Sequence, residues 1–89
     1  MSINLYPAHI KGREVIYADE EVFINLANAN FFSLAKSLGL REMQTGIGTI
    51  RVKHLRMALA TSLDIGYTKR LNQLCAQAEI LKAPFIAFS

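Results

Sequence analysis

Eighty-nine residues with one cysteine and a net charge of +3 make one domain, residues 1–89, with a single core and no internal disulfide. Charged residues are 19% of the chain against a usual ~25%, and apolar residues are 52%, so a domain this small must leave some apolar material at its surface. No run approaches the ~18 apolar residues of a membrane span, and MSINLYPAHIKGRE lacks the basic start and apolar stretch of a secretory signal, which makes the cytoplasm the expected compartment.

SINLY alternates apolar and polar residues, with Ile3 and Leu5 on one side, and predicts a half-buried strand that Pro7 should end. A turn at Gly12 leads into a second strand, EVIY, over Glu14 to Tyr17. The acidic stretch ADEE, Ala18 to Glu21, is poor in strand formers and reads as a connection to a third strand, Val22 to Leu26. Three short strands joined by short loops suggest a meander.

The period then changes from two to 3.6. Phe31, Leu34, Ala35 and Leu38 fall on one stripe and predict a helix over about Asn28 to Leu38, closed by Gly39, with Leu40 folding back onto its last turn. REMQTGIG, Arg41 to Gly48, has two glycines and no period, so it is the longest expected loop. A second helix is expected over about Arg51 to Leu63, with Val52, Leu55, Leu59, Ser62 and Leu63 on one face, and the DIGYT break at Gly66 separates it from a third. That third helix, about Thr68 to Leu81 with Thr68 as its cap, places Leu71, Leu74, Cys75, Ala78 and Leu81 on one face. Cys75 therefore reads as a buried, reduced thiol. After Pro84, FIAF is apolar without alternation, as a strand central in its sheet would be.

Strands followed by helices followed by one strand give an α+β fold: a small antiparallel sheet of three N-terminal strands plus a C-terminal strand, packed on one face by three helices. The asparagines of NLANAN fit its strand-to-helix junction. Asn25 closes the third strand, Asn28 is the expected N-cap, and Asn30 is left for solvent or a ligand. NLANAN, then LGL at Leu38 to Leu40, then GTI at Gly48 to Ile50 opening the next helix, then APFIAF at Ala83 to Phe88 resemble a loose family of small bacterial and prophage proteins. The resemblance spans Val22 to Phe88, implies an α+β fold, and brings no activity with it.

Catalysis has little to build on. His9 and His54 stand apart, Asp19 and Asp64 are the sole aspartates, and no serine sits in a nucleophile elbow, so no catalytic, cofactor or metal-ligating residue is expected. Residues 51–89 carry six basic and two acidic side chains, whereas residues 1–50 carry four and five. Arg51, Lys53, His54 and Arg56, with Lys69 and Arg70, thus form a candidate phosphate-contacting patch, though they surround their helix and match no nucleic-acid motif. The apolar excess points elsewhere. Phe32, Met43, Ile47, Ala76 and Ile80 fall outside the predicted core stripes and are the expected interface residues of a non-enzymatic interaction module, acting as a homo-oligomer, adaptor or inhibitor.

Overall fold

The computed structural model describes residues 1–62 and 65–89. The elements follow the order β1 (Ser2–Lys11), β2 (Glu14–Tyr17), β3 (Ile24–Ala27), α1 (Asn28–Leu38), a 3₁₀ turn (Arg41–Met43), β4 (Gly48–Arg51), α2 (Val52–Ala60), α3 (Ile65–Ile80) and β5 (Phe85–Phe88). All strand pairings are antiparallel, and the sheet runs β2-β1-β5-β4 with β3 also paired to β1. The fold is α+β, as expected.

β1 does not stop at Pro7. Asn4 and Ser89 exchange both backbone bonds, so the even-numbered residues of β1 bond toward β5 and the odd-numbered ones toward the opposite edge. Along that edge β3 pairs with Ser2 to Leu5 and β2 with Ala8 to Lys11, and Pro7 lies in the gap between them. There its carbonyl accepts from the Ala18 N–H, and its missing donor breaks no ladder. The same arrangement replaces the expected meander, because β2 and β3 both pair with β1. Lys11 faces Glu14 across a two-residue turn in which Gly12 has φ 64°, the conformation a type II′ hairpin needs at its first central position.

β5 lies between β1 and β4, which explains its unbroken apolar run. β4 itself falls where GTI was expected to open a helix. The chain passes from β4 into α2 with Arg51 as N-cap, and the Val52 N–H donates to the Pro84 carbonyl. α3 begins at Ile65, so Thr68 is buried inside the helix and is not its cap, and Gly66 lies within the first turn. The predicted end of the second helix at Leu63, and Asp64, lie outside the described residues.

The helices cover one face of the sheet. Ile3, Leu5, Leu26, Ile50, Ile86 and Phe88 from the strands meet Phe31, Leu34, Leu55, Leu59, Leu71 and Leu74 from the helices in one buried cluster. Cys75 is buried with them. α1 ends as its sequence predicts: Gly39 is left-handed, its N–H and that of Leu40 donate to Lys36 and Ala35, and Leu40 is buried. α3 ends with the same bonding pattern, but there Lys82 occupies the left-handed position.

Candidate functional site

Alternation along β1 decides what reaches the other, uncovered face. Ile3, Leu5 and Pro7 point into the helix layer, so Asn4, Tyr6, Ala8 and Ile10 point away from it. Strand register adds their neighbours on the same side: Val15 and Tyr17 from β2, Asn25 from β3, Phe85 and Ala87 from β5, Thr49 and Arg51 from β4. Phe23, one residue before β3, joins them by stacking on Tyr6 with ring centroids 5.1 Å apart.

Aromatic side chains dominate this face. Tyr6 and Tyr17 stack nearly parallel, centroids 4.2 Å apart, and Tyr6 is held between Tyr17 and Phe23. Small residues make room for them, since Ala8 and Ala87 are buried under their larger neighbours. The Arg51 guanidinium lies 5.5 Å from the centre of the Phe85 ring. Among the positions on this face it is the one charge. Asn25 fills a polar corner, donating from Nδ2 to Ser2 Oγ at 2.8 Å and to Asn4 Oδ1 at 2.6 Å.

The β1–β2 hairpin carries the apolar surface beyond the helix layer. Every residue of β2 is exposed, Val15 by 46%, Ile16 by 41% and Tyr17 by 36%, with Phe23 at 46%. Ile16 pairs with His9 and so points to the side opposite Val15 and Tyr17. The hairpin is therefore exposed on both sides, apolar on the side of Val15 and Tyr17, and mixed on the other, where Ile16 sits among His9, Lys11 and Glu14.

The residues predicted for an interface do not converge. Met43 is fully buried in the core and cannot line a surface, because the 3₁₀ turn directs it into the core cluster. Phe32 and the loop do meet, the ring packing against Gly46 so closely that a Cβ there would come within 2.9 Å of it, and Ile47 stands exposed nearby in sequence. Ala76 is half-buried and lines a groove between α2 and α3, while Ile80 is exposed near the end of α3. The aromatic sheet face escaped the sequence reading. Its signal was EVIY, three apolar residues without alternation in a strand that ends beside an acidic loop, together with Tyr6 at an outward position of SINLY.

Three of the basic residues, Arg51, Lys53 and Arg56, line one pocket together with Glu79 and Pro84, and the cluster is partly engaged. Arg56 donates to Asn72 Oδ1 at 3.1 Å and to the Glu79 carboxylate, whose hydrogen bond raises the guanidinium further above its ordinary value. His54 Nδ1 lies 3.1 Å from Glu42 Oε2. Arg51 lies over the Phe85 ring at the rim of that pocket, and Lys53 is exposed on α2. Asn28 forms no cap: α1 takes Ala27 as its N-cap, no described side chain caps it, and the Asn28 N–H donates to the Met1 carbonyl. Asn25 is likewise a cross-strand partner within β3, not the residue that closes it.

Among the described residues, no three His, Cys, Asp or Glu side chains gather, and no helix is long and apolar enough to cross a membrane. No family model, curated protein or solved structure matches the chain.

Proposed function

We propose that this protein is a non-enzymatic interaction module that associates with a second copy of itself through the projecting β1–β2 hairpin at the rim of the open sheet face. The observation that carries this reading is the exposure of Val15, Ile16, Tyr17 and Phe23 beside a stacked aromatic cluster with a single charge, Arg51. Protein contacts are distinguished by that composition, aromatic-rich and depleted of charge at the centre. Phosphate recognition asks for several convergent cations. Arg51, Lys53 and Arg56 line one pocket, but Glu79 lines it too and pairs with Arg56, while His54 faces Glu42.

Tyr17→Glu tests the proposal against the alternatives. Tyr17 is partly exposed, so the variant should stay folded, while a carboxylate in a desolvated contact should shift the protein to monomer in sedimentation velocity. Ile80→Glu should sediment like wild type. Loss of association on Ile80→Glu alone would move the contact to α3. Wild-type protein that stays monomeric and binds a single-stranded oligonucleotide with steep salt dependence would replace the proposal with nucleic-acid binding.

A further inference from the structure

The open face accounts for Val15 and Tyr17, yet it leaves Ile16 unexplained. Ile16 lies on the opposite side of the sheet and is 41% exposed, so a partner laid against the open face would leave it in water. The edge of β2 is the one place from which both sides are covered together.

Backbone geometry identifies what that edge offers. The Ala18 N–H donates to the Pro7 carbonyl, and one register step at a time this makes His9 with Ile16, and Lys11 with Glu14, the hydrogen-bonded pairs of the hairpin. Val15 and Tyr17 therefore turn their N–H and C=O groups outward, along a strand that has no paired neighbour on that side among the described residues. Edge strands are commonly guarded by lysine, proline, a bulge or a covering segment. β2 carries none of these, and Glu14 is its one charge.

Resting on the reading that the chain self-associates, we infer that β2 pairs antiparallel with β2 of a second copy, joining the two sheets into one. Antiparallel pairing about a two-fold axis normal to the sheet keeps each face on its own side, so outward-bonding residues must meet each other. Three registers centred on β2 satisfy this. One sets Val15 opposite Val15 of the second copy and forces Glu14 against Ile16, and one sets Tyr17 opposite Tyr17 and brings Val15 against Asp19. The remaining register sets Val15 opposite Tyr17 in both directions and Ile16 opposite its own copy, so that all three cross-strand pairs are apolar. It is the one proposed. It also lays the two Tyr6–Tyr17–Phe23 clusters on the same face of one continuous sheet.

Ile16 then sits at a pair that is not hydrogen-bonded across the new edge, where opposed Cα atoms are about 4.5 Å apart, inside the ~4.4–6.8 Å range of a disulfide. Ile16→Cys in a Cys75→Ala background should, under oxidised glutathione, run as a reducible species of twice the chain mass, with Phe23→Cys and Val15→Cys in the same background remaining single chains. Val15→Pro, which removes an outward N–H and leaves the bonds to β1 intact, should sediment as a monomer with an unchanged circular dichroism spectrum. Cross-linking at Val15→Cys instead would overturn this register. Cross-linking at Phe23→Cys alone would overturn the edge pairing while leaving face-mediated self-association standing. A wild-type monomer with no cross-linking at any site would overturn both.

Discussion

Three asparagines near the first helix separate by their bonds. Asn25 donates to two neighbours on the sheet face, whereas the Asn28 side chain caps nothing. Asn25→Ala should therefore lower unfolding stability by about 0.5–1.5 kcal/mol, and Asn28→Ala by a few tenths at most, as read from urea midpoints. Equal losses would mean that Asn28 shares the network. The thiol makes a second residue-level test. Burial pushes Cys75 from 9.0 up to about 11, and the nearby Arg56 charge offsets this only in part. Below pH 9 both folded and unfolded chains hold the proton, and between 9 and 11 the unfolded chain loses it first. Stability should fall across that window by about 2–3 kcal/mol from this group, and Cys75→Ala should remove that share of the slope.

Element by element, periodicity was the dependable guide. Phe31, Leu34, Ala35, Val52, Leu55, Leu59, Leu71, Leu74, Cys75 and Ala78 of the predicted stripes are buried, Leu38, Ser62 and Leu81 are only partly so, and Gly39 marked the end of α1. Truncating Leu55 or Leu71 to Ala should cost about 2–5 kcal/mol in chemical denaturation, because each is completely enclosed. The two left-handed helix ends give a paired expectation. Lys82→Gly should raise stability by about 0.5–1 kcal/mol by relieving a side chain at φ 57°, and Gly39→Ala should lower it by about 1 kcal/mol. What periodicity could not convey is pairing. Pro7 sits harmlessly in β1 only because β2 and β3 leave a gap there, and GTI becomes β4 only because β5 offers it an edge. Both facts depend on residues some 10 to 40 positions away.

At the scale of the whole molecule, the sequence announced an apolar excess but not its location. The α+β class, the single helix layer and the central C-terminal strand follow from element order and from an unalternating FIAF. The uncovered face does not, because its aromatics come from Tyr6, Tyr17, Phe23 and Phe85, spread across the chain and gathered only by register. Met43 misled for the complementary reason, since an apolar residue in a glycine-rich stretch looks exposed until the 3₁₀ turn places it in the core. The central claim is that the β1–β2 hairpin at the rim of the open face brings two copies together. Sedimentation equilibrium of the wild-type protein from low to high micromolar concentration tests it most directly. The mass should climb from 9.9 kDa toward twice that value. A mass fixed at that of one chain over the whole range would contradict the account.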